Sequence, residues 1–398
     1  MLITLTGHMA MSGGRVSGSL YALSAGSAEF VVGIFMASFS VLPTLAAMSV
    51  GRWVDRIGAL PVMRFGVLAV LCGAVLPVLW LSVPSLFVMA VLIGFGFNAM
   101  SVAGQHTVGA LAHGQSGEQR LRNFGWYALG HSASSALGPF ISGLLIDHAG
   151  FRAAFATMAL FTCVACWLVF QKLVSLPAAP KAQASAADES KTPAWHDLLA
   201  KPELRRIYYA SMTLSCCWDL FIVMLPVLGT RLGFSASIIG TVFSLFALGT
   251  FVSRALMPWL STRVREWEIM RAAMIMIALV FVVLPWASLA IAFMLMGFLF
   301  GGSIGLSQPN MLSLLHAAAP PGRGGEALGL RSLIGNASSV WVPIAFGLAV
   351  GPLGVAPLLW IGAGLISSAV PAAHRGVRLC RRELYANRSP LDRDKNRG

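Results

Sequence analysis

The chain has 398 residues, of which 57% are hydrophobic and only 11% are charged, whereas soluble domains are about 25% charged. This composition excludes a water-soluble globular protein. Lys and Arg number 28 against 15 Asp and Glu, a formal net charge of +13. These charges lie between apolar runs and not along one face, which argues against a nucleic-acid-binding surface. Forty-one Gly and 20 Pro are typical of a protein whose helices cross a membrane several times.

Apolar runs bounded by charge, Gly or Pro predict twelve transmembrane helices, because about 20 apolar residues cross a bilayer. They divide six and six around a polar segment with two prolines and an Ala/Ser stretch, which is typical of a flexible linker. We therefore expect an all-α integral membrane protein with bundles at 1–173 and 207–373, a linker at 174–206 and a basic tail at 374–398. The predicted helices are 2–24, 27–50, 62–82, 85–112, 121–146, 151–173, 207–229, 236–258, 269–288, 291–316, 327–350 and 352–373.

The basic residues predict the orientation. If the helices alternate in direction, all but four of the 28 Lys and Arg residues fall on one side of the membrane. Arg152 and Arg231 fall on the other side, while Arg15 and Arg254 lie within helices. Loops rich in Lys and Arg stay in the cytoplasm, so we expect both termini in the cytoplasm of a bacterial inner membrane. Arg254 is expected to snorkel to the surface, and the basic tail to contact anionic lipid headgroups.

The second half of the chain repeats features of the first half. Phe39 and Phe246 match at an offset of 207 residues, and Pro139 and Pro343 match at an offset of 204. Each match falls in equivalent helices, which indicates two homologous bundles related by an axis along the membrane normal. Such an arrangement predicts a site between the bundles near the membrane midplane.

The segment Gly51-Arg-Trp-Val-Asp55-Arg56-Ile-Gly58 resembles the G-x-x-x-D-R-x-G loop signature of the major facilitator superfamily of secondary transporters. Ala59 and Leu60 replace its usual basic pair. The resemblance covers essentially the whole chain and implies a monomer that works by alternating access. In the family, the Asp of this loop latches against the start of helix 11, which implies a cytoplasmic gate. The gate residues would be Gly51, Asp55, Arg56, Gly58, Glu326 and Arg331.

Part of helix 5 resembles the family's antiporter signature, although Ser134 and Ser142 occupy two positions where that pattern has glycine. The resemblance favours export. The residues alone also permit a packing role, because glycine lets helices approach closely and proline removes a backbone hydrogen bond. The positions concerned are Gly125, Gly138, Pro139 and Gly143.

Two ionisable residues are predicted to lie near the middle of the membrane, where a charge is costly and indicates function. Arg15 in helix 1 and Asp219 in helix 7 are 204 residues apart, which is the repeat offset. In the family, helices 1 and 7 line the cavity. We expect Asp219 to be the principal protonatable group, and Arg15 to be its counter-ion or an anchor for an anionic substrate. A permanent structural ion pair is the alternative interpretation.

Other polar side chains recur at helical spacing and predict water-facing surfaces on helices 4 and 10. Hydrogen bonding between helices is the alternative for these residues, and packing is the alternative for the aromatic one. The predicted cavity residues are Asn98, Ser101, Gln105, His131, Trp218, Ser303, Ser307 and Asn310.

Three functions are compatible with the sequence. The first is proton-coupled export of a small organic or amphipathic compound. The second is proton-linked import of an anionic metabolite, which Arg15 favours. The third is a transporter-like sensor or scaffold that moves no substrate. No G-x-x-x-x-G-K-[ST] or H-E-x-x-H motif occurs, and no G-x-S-x-G stands in a strand-turn-helix context, so we expect no ATP drive, no enzyme activity, and no cofactor or metal. The expected partners are a small molecule, protons and the lipid bilayer.

Overall fold

The structure is a computed structural model that describes residues 2–111, 117–171, 196–320 and 324–387. Side chains are described within these ranges except at 2, 47–48, 55, 108–111, 117–129, 196–197, 316, 324–326 and 376–387. All regular secondary structure in the described ranges is helical.

The N-terminal half contains α1 (Leu2–Ser24), α2 (Glu29–Ile57), α3 (Ala59–Leu79) and α4 (Val83–Leu111). They are followed by a helical segment, Gly117–Phe170, which is broken at Gly150. Gly150 has φ 80° and ψ 174°, a conformation that glycine adopts without strain. We number the part before Gly150 α5 and the part after it α6.

The C-terminal half begins with a short helix, His196–Ala200, which precedes the six long helices. A 3₁₀ turn, Leu284–Trp286, follows the third of these. The long helices are α7 (Pro202–Arg231), α8 (Ala236–Ser261), α9 (Glu266–Val283), α10 (Ala290–Ala318), α11 (Gly324–Leu353) and α12 (Val355–Asn387).

Ten helical stretches in the described residues are long and apolar enough to cross a membrane. One of them, Gly130–Phe170, has 41 residues and contains both α5 and α6. The α1 helix is absent from these ten because Gly, Ser, Thr and His dilute its apolar residues. Its Val16, Ser17 and Ser19 are nevertheless buried, since α1 packs inside the N-terminal bundle against α5 and α4. The expected all-α fold of two six-helix bundles is confirmed.

Three predicted boundaries are wrong because the helices continue further than the apolar runs. The α2 helix runs to Ile57, so Gly51 to Ile57 are helical and not in a loop; Gly58, with φ 89°, ends the helix. The α7 helix begins at Pro202, inside the predicted linker, since proline is favourable in the first turn. The α12 helix continues to Asn387, through half of the predicted tail.

The internal repeat recurs as equivalent helix contacts. Gly94 of α4 lies against the backbone of Phe39 in α2, and Gly301 of α10 lies against the backbone of Phe246 in α8. A Cβ atom at either glycine would overlap the neighbouring carbonyl oxygen. Gly94 and Gly301 are 207 residues apart, and so are Phe39 and Phe246. The two bundles therefore pack internally in the same way.

The contacts between the bundles also repeat, since α2 packs against α11 and α5 packs against α8. Gly33 of α2 touches the backbone of Pro343, and Gly240 of α8 touches the backbone of Pro139. Each glycine leaves no room for a Cβ atom, so these helices are in direct backbone contact.

We call the end where α2 begins and α7 ends the closed end, because polar contacts join the bundles there. Arg231 donates hydrogen bonds from Nε (3.1 Å) and Nη2 (2.6 Å) to Glu29 Oε1. Asp147 of α5 accepts hydrogen bonds from the backbone N–H groups of Ala236 (3.1 Å) and Ser237 (2.8 Å) in α8. Glu29 and Arg231 thus form an ion pair across the boundary between the bundles.

We call the opposite end, where α6 ends and α7 begins, the linker end. Among the described residues, the hydrogen bonds between the bundles lie at or toward the closed end, and none joins the bundles at the linker end. The described polar contacts therefore hold the bundles together at the closed end and not at the linker end.

Candidate functional site

A central cavity of about 230 Å³ lies between the bundles, bounded by α1, α5, α7, α8 and α10. Four basic residues line it: His8, Arg15, His131 and Arg254. None of the described residues that line it is Asp or Glu. The walls of this cavity are therefore positively charged.

The rings of His8 and His131 lie on the N-terminal wall, with their centroids 3.9 Å apart and their planes tilted by 35°. The Ser134 hydroxyl lies 2.8 Å from the carbonyl oxygen of His131 and 2.8 Å from His8 Nδ1. When it donates its one hydrogen to the carbonyl oxygen, it accepts from His8 Nδ1. This leaves His8 Nε2 as the ring nitrogen without an assigned partner.

Arg15 projects from α1 toward the boundary between the bundles. Its guanidinium lies over the Phe39 ring, 5.1 Å from the centroid, which is a cation–π contact. Its Nε atom is buried and has no hydrogen-bond partner. Among the described residues, no carboxylate oxygen lies within 4.0 Å of its nitrogen atoms. A buried donor without a partner is costly, so this arginine is available for an anion.

Asp219 lies at the equivalent position on α7 and is 9% exposed. Its Oδ2 accepts a hydrogen bond from the Ser338 hydroxyl (2.6 Å), and its Oδ1 accepts one from Ser339 (2.9 Å). Both serines belong to α11. Asp219 and Arg15 line a second, small cavity of about 10 Å³, which is about the size of one water molecule. The opposite charges therefore share one space without forming an ion pair.

A third cavity, of about 140 Å³, lies within the C-terminal bundle on the linker side of Asp219. Asp219 and Trp218 border it, together with Arg331, whose Nε atom is buried and unpartnered. Hydroxyl and amide groups complete much of its lining. They are Ser211, Ser215, Ser307, Gln308 and Ser339.

Arg254 does not snorkel to the surface as its place in the sequence suggested. Its Nη2 donates a hydrogen bond to Gln308 Oε1 (2.7 Å), and both residues line the central cavity. The amide satisfies one donor of Arg254 but brings no opposite charge.

The predicted cavity residues divide into two groups. His131 and Trp218 line the central cavity, and Ser307 lines the third cavity. Pro139, which belongs to the helix 5 pattern, also lines the central cavity. The others line none of the three cavities; Ser303 and Asn310, for example, donate to carbonyl groups of their own helix. That second group consists of Asn98, Ser101, Gln105, Ser303 and Asn310.

The predicted gate is only partly described. The side chains of Asp55 and Glu326 lie outside the described residues. The same is true of the surroundings of Gly125, which belongs to the helix 5 pattern. Arg56 is exposed in the last turn of α2. Arg331 lies beside the third cavity and not at the surface of the linker end. The gate stays a prediction.

Two glycines of the helix 5 pattern serve as helix contacts. Gly138 lies against the backbone of Met9 and Gly13 in α1, and Gly143 lies against Ala236 in α8. These contacts agree with the packing interpretation.

Sequence reasoning missed His8, Ser338 and Ser339 as site residues. A signal for His8 was present, since His8, Ser12 and Arg15 follow the i, i+4, i+7 spacing of one helix face. The serines of α11 carry no comparable pattern, and only the fold brings them to Asp219.

The family follows from comparison with known proteins. Residues 2–343 match the family model of the Major Facilitator Superfamily. The chain belongs to this superfamily. The resemblance of the Gly51–Gly58 segment is thereby confirmed, and the chain is a multi-pass membrane protein of a transporter family.

Solved structures of major facilitator transporters share the fold. A nucleoside transporter, NupG, superimposes with a TM-score of 0.75 at 13% identity, covering 94% of this chain and 98% of that one. A POT family transporter in complex with a thioalcohol-conjugated peptide gives 0.74 at 15% identity, covering 96% and 95%. A D-xylose-proton symporter gives 0.73 at 14% identity, covering 94% and 95%. No curated protein matches the chain.

Proposed function

We propose that this major facilitator protein imports an anionic small molecule together with protons by alternating access. The observation that carries this proposal is the central cavity, which has Arg15, Arg254 and two histidines in its walls and no described carboxylate. A cationic site in a low-dielectric cavity favours an anion, because an unpaired buried charge is costly.

The arrangement of Arg15 and Asp219 suggests how protons are coupled to the anion. In the empty carrier, the two opposite charges share the small cavity and offset each other. In the loaded carrier, the anion pairs with Arg15 and a proton neutralises Asp219. In both states the charge of Arg15 is balanced. A carrier holding only the anion or only the proton would bury an unpaired charge, which disfavours its closure.

Proton and anion therefore move in the same direction in this mechanism. With the linker end in the cytoplasm, as the basic residues predict, an inward proton gradient would drive import. The alternative of export rests on the helix 5 pattern. Ser134, which replaces one of its glycines, instead bonds His8 in the cavity wall.

Uptake into proteoliposomes tests this proposal. The chain is reconstituted with an inward proton gradient, and accumulation of benzenesulfonate, benzoate and terephthalate is compared with that of a quaternary ammonium ion and a neutral sugar. We expect accumulation of anions only, and its loss in Arg15→Gln. The control is Arg152→Gln, which removes an exposed arginine outside the cavity.

Three results would contradict the proposal. They are accumulation of the cation or sugar in place of anions, anion movement opposite to the proton, and equal uptake by wild type and Arg15→Gln. Anion movement opposite to the proton would instead favour export by antiport. Folding of each variant is checked by size-exclusion chromatography.

A further inference from the structure

The central cavity has two levels of positive charge, and this bears on the substrate. We propose that the transported molecule is a dianion, with one acidic group bound by Arg15 and a second bound by Arg254 between the two bundles. This inference rests on the proposed import of an anion and specifies its class.

The two arginines lie at different depths. At 1.5 Å per helical residue, Arg15 is about 13 Å from the closed end of α1, whereas Arg254 is about 27 Å from the closed end of α8. His8 on α1 and His131 on α5 lie at about 24 to 27 Å, level with Arg254. The cavity therefore has an upper level at Arg15 and a lower level nearer the linker end.

The lower level is formed by both bundles. His8 and His131 are on the N-terminal wall, and Arg254 with Gln308 is on the C-terminal wall. His131 is near enough to Arg254 for their charges to interact. An acidic group bound here would touch both bundles on the side where they are separated. Such a ligand would favour their approach at the linker end.

The space between the levels carries no charged side chain. Met11 on α1 and Trp218 on α7 line the cavity about 20 Å from the closed end, midway between Arg15 and Arg254. The hydroxyl groups of Ser12, Ser135 and Thr250 line it at a similar depth. A molecule with acidic ends and an uncharged middle fits this order of groups.

Charge balance points to the same class of molecule. Asp219 offsets one arginine, and Arg254 keeps its full charge because its hydrogen-bond partner, Gln308, is neutral. When the linker end closes on a monoanion, Arg254 would be buried without a counter-charge. A second acidic group supplies that charge.

His8 is held at the lower level by Ser134. The hydrogen bond to Nδ1 directs the opposite ring nitrogen away from Ser134, where it donates to an acidic group when the ring carries a proton on both nitrogens. Ser134 thus holds His8 in the cavity wall, at a position where the antiporter pattern has glycine.

Matched ligand pairs test the proposal on the purified full chain in lipid nanodiscs. Isothermal titration compares terephthalate with its monomethyl ester, and benzene-1,3-disulfonate with benzenesulfonate. We expect each dianion to bind at least tenfold more tightly than its monoanion in wild type. In Arg254→Gln this preference should fall to within about twofold. Arg263→Gln is the control and should behave as wild type. It removes an arginine that follows α8 and lies over the Trp259 ring.

The outcomes separate the two proposals. Monoanions that bind as tightly as dianions, or a preference that survives in Arg254→Gln, would overturn the dianion proposal alone. Binding of no anion by a folded wild-type chain would overturn the proposed function and this inference together. Arg254→Lys, which keeps the charge, should retain part of the preference and shows that the effect does not arise from misfolding.

Discussion

Asp147 is expected to hold the closed end shut. Its carboxylate accepts hydrogen bonds from two backbone N–H groups at the start of α8, across the boundary between the bundles. A carboxylate that caps a helix N-terminus contributes about 0.5–2 kcal/mol, and an exposed one such as Asp147 belongs near the lower half of that range. At about 1 kcal/mol, Asp147→Ala should shift the balance toward opening of this end by about fivefold.

Electron–electron double resonance measures this shift directly. Nitroxide labels are placed at Ala25, just after α1, and Ser288, just before α10, in a chain without its native cysteines; both positions are exposed. Asp147→Ala should increase the long-distance population relative to the parent. Glu29→Gln should increase it less, because an exposed ion pair is worth about 0.2–1 kcal/mol.

Glu203→Gln is the matched control, since it removes an exposed carboxylate at the linker end. The reasoning is refuted if Asp147→Ala leaves the distance distribution unchanged, or if Glu203→Gln changes it equally.

Two further predictions concern packing and the buried carboxylate. Gly240→Val should abolish uptake by a folded protein, because its side chain would overlap the Pro139 backbone when the closed end shuts, whereas Gly329→Ala should keep normal uptake in the same vesicles. Ser338→Ala combined with Ser339→Ala should lower the thermal unfolding temperature, since it leaves the carboxylate of Asp219 without either hydrogen bond. Adding Asp219→Asn to that double variant should recover part of the loss; no recovery would contradict the assigned hydrogen bonds.

Much of the fold could be predicted because the length of an apolar run reports a membrane crossing directly. The break between α5 and α6 was expected between 146 and 151, where Gly150 turns the chain. The ends of α2 and α12 were misplaced, because polar residues continue a helix beyond the lipid without any apolar signal.

The site could be predicted only in part. Arg15 and Asp219 stood out because a charge within an apolar run is rare and costly. Periodicity also showed that Asn98, Ser101 and Gln105 share one helix face, but it could not show what that face meets. The position of Arg254 depends on how α8 is rotated against α10, which a single helix sequence does not contain.

The most direct test of the account is whether Asp219 couples protons to the anion. Proteoliposomes with a pH-sensitive dye inside receive benzene-1,3-disulfonate, a strong acid anion that stays ionised and cannot carry protons itself. The account predicts that the interior becomes acidic as the anion enters wild-type vesicles. It also predicts that Asp219→Asn shows no acidification while still exchanging anion for anion. An interior that becomes alkaline, or an unchanged acidification in Asp219→Asn, would contradict it.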